Sequence, residues 1–306
     1  MAIEKISIIG CGALGIMYAS HMAKSIPADN IRFVADAERI KRYRENGIYV
    51  NGIKQEFNFF TPEDDVEKAD LLIFAVKSVG LEKAAEMVCK HVGENTLIIS
   101  ILNGISSEEI LKERYIHENI IYCMVGGMDA TRTGESVNFA KMGRVALGSV
   151  GKYKGLQDVN AVKAFFDKIK IECYAEEDIM KVIWWKYILN IGINQVSALL
   201  RASYGAFQRK GYAQNAMIMA MEEALEVSKA EGIEFEGDTI SSCIELIANL
   251  TPEAKTSMHQ DIEAGRKTEV EMFSGTLIKL AEKHNIRTPV NRFLYNAIKA
   301  LEEKNK

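Results

Sequence analysis

Residues 5–25 read KISIIGCGALGIMYASHMAKS, and the fold turns on how this stretch is parsed. The apolar run up to Ile9 predicts a strand, and the residues from Ala13 onward predict a helix. Between them Gly10, Gly12 and Gly15 form G-x-G-x-x-G. The first glycine permits a tight turn and the second lets the backbone approach a pyrophosphate. The third lets the helix pack closely on its strand. A helix N-terminus also offers free N–H groups and a positive dipole end to phosphates. Gly10, Cys11, Gly12, Ala13, Leu14 and Gly15 are therefore the candidate phosphate-binding loop of a dinucleotide site.

The next predicted strand, NIRFVAD (30–36), ends on Asp36. A carboxylate there can hydrogen-bond the ribose hydroxyls, which favours NAD and repels the extra phosphate of NADP. Arg39, one helical turn on, is placed to pair with that phosphate instead. The alternative for Asp36 is an N-cap of the following helix.

Outward from this core the strands DLLIFAVK (70–77), NTLIISILNG (95–104) and NIIYCMV (119–125) are almost continuously apolar. That is the signature of parallel strands covered by helices on both faces. Within IYVNGIKQEFNFF (48–60), Asn51-Gly52 predicts a hairpin. VNFAKMGRVALGS (137–149) reads as antiparallel, and IECYAE (171–176) closes the sheet. Beyond it the chain reads as helices near 177–200, 211–232, 238–249, 259–284 and 291–304. The expectation is an α/β protein: a Rossmann-type doubly wound, mostly parallel sheet in residues 1–176, followed by an all-helical C-terminal domain in 177–306.

Composition narrows the function. The 306 residues are 48% hydrophobic and 26% charged with a net charge of −4, ordinary values for a globular chain of two domains. The mild acidity disfavours nucleic acid as a partner. The N-terminus is neither a signal peptide nor long enough to span a bilayer, so a cytoplasmic protein with no membrane partner is expected. Five scattered Cys and five scattered His lack metal-ligand spacing, so free thiols and no metal site are expected.

WWKYILNIGIN (184–194) belongs to a helix with no charged side chain from Tyr187 to Leu200. Within it Lys186, Asn190 and Asn194 recur every four residues. They drift only about 40° per step and form one narrow stripe, which Ser197 continues. A lysine beside a nicotinamide can donate a proton to a ketone oxygen and stabilise the charge developing there. Desolvation would bring its pKa toward the working range. The competing reading of Lys186 is a side chain that snorkels to the surface, and that of the carboxamides is an internal helix–helix network. In MHQDIEAGRKTEVEMFSGTLIKL (258–280) Glu269 falls, on a helix, with Met272, Phe273, Thr276, Leu277 and Leu280. A carboxylate on that apolar stripe requires a hydroxyl or a cation, or is a structural ion-pair partner. Ser257, at a helix start, can bind a substrate carboxylate, or Ser257 or Thr256 caps the helix. Lys77 and Asn103 follow two parallel strands at the edge where ligands lie in open α/β sheets. Their alternatives are a surface lysine and a turn.

Taken in order, GCGALG, VKS with Lys77, LNG with Asn103, WWKYILNIGIN and TSMHQDIEAGRKTEVE resemble the ketopantoate reductase (2-dehydropantoate 2-reductase) family over the whole chain. The last two motifs are the most specific. The resemblance implies reduction of 2-dehydropantoate to (R)-pantoate with NADPH, a step of pantothenate and hence coenzyme A synthesis. It implies Lys186 as general acid, with Glu269 beside it in the catalytic site. Asn190, Asn194, Ser257 and Glu269 would hold the substrate's carboxylate and hydroxyl. Asn103 and Lys77 would lie between cofactor and substrate, and the stripe would be a wall of the substrate cleft. Two departures bear on this. Many members carry an arginine where this chain has Asp36, which leaves NAD(H) open beside NADP(H). Ala254 stands where some members place a substrate-contacting asparagine. The rival expectations are an NAD-linked reductase of another branched 2-keto acid and a non-catalytic dinucleotide-sensing protein. A small-molecule 2-keto acid and the dinucleotide are the expected partners, with a homodimer as one oligomeric option.

Overall fold

The computed structural model describes residues 2–116, 119–151 and 156–304. The chain divides into two compact units. The first comprises Met1–Leu102 and Ser107–Ile179, the second Asn103–Ser106 and Met180–Lys306. The sequence places the boundary near 176, and the short piece 103–106 groups with the helical unit.

In the first unit the strands β1 (Ile6–Ile9), β2 (Ile31–Val34), β6 (Leu71–Phe74) and β7 (Leu97–Ser100) are buried at every position. Helices therefore cover both faces of this part of the sheet, as the continuous apolar runs required. Around them stand β5 (Asn58–Phe60), β8 (Ile120–Gly126), β11 (Arg144–Gly148) and β12 (Glu172–Ala175). The eight strands run in the order β12-β11-β8-β7-β6-β1-β2-β5. All pairs are parallel except β11 on β8. Ile6 stands opposite Ile31 on one side and Leu71 on the other, so the strand order reverses at β1. The helices α1 (Ala13–Met22), α2 (Ala37–Asn46), α3 (Leu81–Met87), α4 (Ser107–Lys112) and α5 (Leu156–Lys168) connect these strands.

The Asn51-Gly52 hairpin forms between β3 (Ile48–Val50) and β4 (Ile53–Gln55), both turn residues having positive φ. It does not join the main sheet. With β9 (Thr131–Thr133) and β10 (Ser136–Asn138) it makes a separate four-stranded sheet, β4-β3-β10-β9. Val137 and Asn138 accordingly pair with β9 and β3 rather than continuing into β11.

The second unit, apart from 103–106, is helical: α6 (Ile179–Leu200), α7 (Tyr212–Ala230), α8 (Thr239–Ala248), α9 (Ser257–Glu263), α10 (Thr276–Lys283) and α11 (Pro289–Lys304). Ile188 and Ile191 of α6, Met217 and Met221 of α7, Phe273 and Leu277 form its fully buried core. The helix expected over 259–284 is interrupted. α9 ends at Glu263, Gly265 takes a left-handed φ of 64°, and the Arg266 amide donates back to the Asp261 carbonyl at 2.8 Å. The chain re-enters helix through a π-turn at Glu271–Gly275. Glu269 is therefore in a bend and not on a regular helix, contrary to the stripe drawn through it. Among the described residues no helix is long and apolar enough to cross a membrane.

Candidate functional site

In the first unit three residues singled out from sequence, Gly10, Asp36 and Lys77, follow the carboxyl ends of β1, β2 and β6. This is the strand-order switch point where open α/β sheets bind ligands. Gly10 has φ 111°, and a Cβ there would meet the Ala75 carbonyl carbon and oxygen at 2.5 Å. A Cβ on Gly15 would run into the Gly10 carbonyl. Both are required by packing alone. Gly12 differs: its nearest neighbour to a Cβ is the Ala75 carbonyl oxygen at 3.6 Å, ordinary contact. The space at Gly12 is thus free for a ligand. Gly12 is also the N-cap of α1, with no capping side chain and no acid in the first turn. The amides of Ala13, Leu14 and Gly15 open that helix without a carbonyl one turn back. Uncapped donors, a positive dipole end and room for close approach are the features a pyrophosphate requires.

Asp36 does cap α2: its Oδ1 accepts from the Arg39 amide at 2.8 Å and its Oδ2 lies 3.3 Å from Arg39 Nε. Since 45% of its side chain stays exposed, the carboxylate retains acceptor capacity for a further partner. Lys77 is exposed.

Two arginines near this loop escaped the sequence reading. Arg132, on β9, donates to the Cys11 carbonyl, to the Gly134 carbonyl at 2.8 Å and to Glu135 at 2.7 Å. Its guanidinium lies 5.7 Å from the Tyr43 ring centre, and that of Arg42 5.2 Å from the same ring. Burial pushes the Cys11 thiol up to about 12, against the opposing pull of Arg132 and Arg39. The thiol therefore stays protonated at neutral pH. Arg132 tethers the small sheet to the glycine-rich turn across 121 residues, a separation at which no local motif operates.

In the second unit Lys186, Asn103 and Glu269 come together. Lys186 Nζ donates to Asn103 Oδ1 at 3.0 Å, and Asn103 Nδ2 donates to Glu269 Oε2 at 3.1 Å. Only this orientation of the amide satisfies both charged neighbours, so the ammonium, carboxamide and carboxylate form an ordered chain. Gly104, at φ 95°, lets the turn approach the segment after Glu269: a Cβ would meet Met272 Cγ at 2.7 Å. The Asn103-Gly104 turn and Glu269 are thereby locked to each other.

Asn190 and Asn194 stand one and two turns beyond Lys186 on α6. Among the described residues neither side chain makes a hydrogen bond, although Asn194 is only 6% exposed. A nearly buried carboxamide without a partner costs about 1–3 kcal/mol, which a bound polar ligand can recover. Ser197 departs from the stripe. Its hydroxyl donates to the Asn194 carbonyl at 3.1 Å and meets Thr256 Oγ1 at 2.6 Å, so it serves the internal helix–helix network. Thr256 is the cap of α9, accepting from the His259 amide. Ser257 is the exposed first residue of that helix and Ala254 is exposed before it. The described residues hold no cluster of three or more His, Cys, Asp or Glu side chains able to take a metal ion.

Comparison with known proteins adds to this geometry. Residues 6–152 match the family described as "Ketopantoate reductase PanE/ApbA", and residues 178–302 match "Ketopantoate reductase PanE/ApbA C terminal". The 2-dehydropantoate 2-reductase of Archaeoglobus fulgidus is 27% identical over 99% of this chain and 99% of its own. Among solved structures, D-mandelate dehydrogenase with NADH and anilino(oxo)acetate superposes with TM-score 0.86 at 24% identity, covering 98% of this chain and 99% of that one. The PanE/ApbA family ketopantoate reductase from Ralstonia eutropha JMP134 gives 0.82 at 22% identity, with the same coverage.

Proposed function

The chain belongs to the ketopantoate reductase family of NAD(P)-dependent oxidoreductases, and we propose that it reduces 2-dehydropantoate to (R)-pantoate. The observation that carries this reading is the ordered Lys186–Asn103–Glu269 chain beside two carboxamides without partners. A bound nicotinamide dinucleotide supplies the hydride. Gly10 to Gly15 and the N-terminus of α1 hold its pyrophosphate, with Asp36 and Arg39 at the ribose.

Lys186 is the proton donor. Its Nζ gives a proton to the keto oxygen, which stays on its carbon and becomes the 2-hydroxyl, and its charge stabilises that oxygen while negative charge develops. Asn103 accepts from Lys186 and holds the ammonium in one direction, so no reorientation is needed at the moment of transfer. Glu269 accepts from a substrate hydroxyl, and the Asn190 and Asn194 amides donate to the substrate carboxylate, with Ser257 at its outer edge. A 2-keto acid that also carries a hydroxyl uses both kinds of group.

A second reading is an NAD-linked reductase of another branched or aromatic 2-keto acid. Asp36 and the likeness to NADH-bound D-mandelate dehydrogenase favour it. Initial rates on 2-dehydropantoate, 2-ketoisovalerate and benzoylformate, each with NADPH and NADH, separate the two readings. A kcat/KM at least tenfold higher on 2-dehydropantoate supports the first, and a higher value on either other acid supports the second. Dinucleotide binding without turnover of any 2-keto acid would instead make the protein a sensor.

A further inference from the structure

Tyr187 follows Lys186 directly on α6. It is 1% exposed, with its ring 5.5 Å from that of Trp184 and 6.3 Å from that of Phe273. Its hydroxyl donates to the Phe273 carbonyl at 2.7 Å, an oxygen that also accepts from the Thr276 amide at three-residue spacing. On an uninterrupted α-helix the partner of that carbonyl is the Leu277 amide. Just upstream the ladder runs at five-residue spacing: the Gly275 amide donates to Val270 at 3.0 Å and the Thr276 amide to Glu271. The helix slips its register beside a carbonyl that a side-chain hydroxyl bonds.

The slip decides where Glu269 points. On a continuous α-helix Glu269 would share its face with Phe273 and Leu277, both 0% exposed in the core. Its carboxylate would then be driven among apolar side chains, at high desolvation cost. One extra residue wound into the turn rotates everything before it by about 100° and shifts it by about 1.5 Å. Glu269 is thereby carried off the apolar face and onto Asn103.

We propose that Tyr187 is a positioning residue for the reduction: its hydroxyl keeps the π-turn open and so places Glu269 on the Asn103–Lys186 line. Proton donor and positioning hydroxyl occupy consecutive residues of one helix, so a single backbone sets both. A second contact holds the same turn from α6, because Ser274 Oγ donates to Gln195 Oε1 at 2.5 Å. That bond runs between side chains and leaves the Phe273 carbonyl untouched.

The assignment rests on the reductase reading for its kinetic consequence and on geometry alone for its structural one, so both are tested. In a crystal structure of Tyr187→Phe, the five-residue bonds from Gly275 and Thr276 give way to four-residue ones, the turn closes to α, and Glu269 leaves Asn103. A persistent π-turn with the Asn103–Glu269 bond intact overturns the proposal, whatever the reaction is. In kinetics, Tyr187→Phe raises KM for the 2-keto acid about tenfold or more, while dinucleotide Kd is unchanged. Combining it with Glu269→Gln adds no further loss, because the hydroxyl acts through that carboxylate. Ser274→Ala is the control, lowering Tm without moving KM. An equal rise of KM in Ser274→Ala, or full multiplication in the double variant, overturns the positioning role. Absence of turnover in the unmodified protein counts against the reductase reading alone, since the crystallographic outcome still decides the proposal.

Discussion

Lys186 and Asn103 stand 83 residues apart in the chain, yet the ammonium of one donates to the side-chain oxygen of the other at 3.0 Å. Asn103 follows a strand of the first unit but packs with the helical unit. It passes the link on to Glu269, 166 residues further along.

Removing the ammonium tests the proton donor. Lys186→Ala is expected to lower kcat about 100-fold or more, as loss of a general acid and charge stabiliser does. Dinucleotide Kd, measured by nicotinamide fluorescence, should stay within twofold, because the glycine-rich turn belongs to the other unit. Retained kcat would remove Lys186 from the chemistry.

Asn103 carries two bonds to charged groups, each worth about 1.5–3 kcal/mol. Asn103→Ala should lower kcat/KM by about 10- to 100-fold in steady-state assays. A drop in Tm without a kinetic effect would reduce the residue to a turn former.

Asp36→Ala separates two roles of one carboxylate. Loss of the cap on α2 should cost about 1 kcal/mol in denaturant unfolding. Loss of the acid beside Arg39 should move the NADPH-to-NADH ratio of kcat/KM upward. A stability loss with an unchanged ratio would leave capping as its whole function.

Glu108 yields a pH prediction. It is 3% exposed at the start of α4, and burial pushes its carboxyl from the ordinary 4.5 up to about 7, against donation from Ser107 Oγ and the Cys123 amide. Between pH 4.5 and 7 the folded chain holds a proton that the unfolded chain has lost. Stability from this group therefore falls as pH rises through that window, by about 3 kcal/mol at most. Glu108→Gln keeps an acceptor for Ser107 and cannot ionise. Its stability advantage over the unmodified protein should be near zero at pH 4.5, grow to pH 7 and then level off. An advantage that does not vary with pH would show that Glu108 ionises freely.

Local order was open to a reader of the sequence alone. Apolar runs of strand length, the glycine spacing after Ile9 and the change to helical periodicity after residue 176 set the two-part α/β architecture. Four-residue recurrence set the Lys186–Asn190–Asn194 stripe. These are backbone patterns, written in periods of 2 and 3.6 residues and readable within a window of twenty. Tertiary structure alone decided which side chains those patterns bring together. It drew Asn103 into the helical unit, gave Ser197 to Thr256, and tied Arg132 to the Cys11 carbonyl. It also took Glu269 off the helical face that its spacing implied, where a buried hydroxyl from another helix bonds the Phe273 carbonyl beside a π-turn. A partner that lies about 60 to 170 residues away leaves no mark on the local period (roughly the range spanned by these contacts). Only the closed fold supplies it.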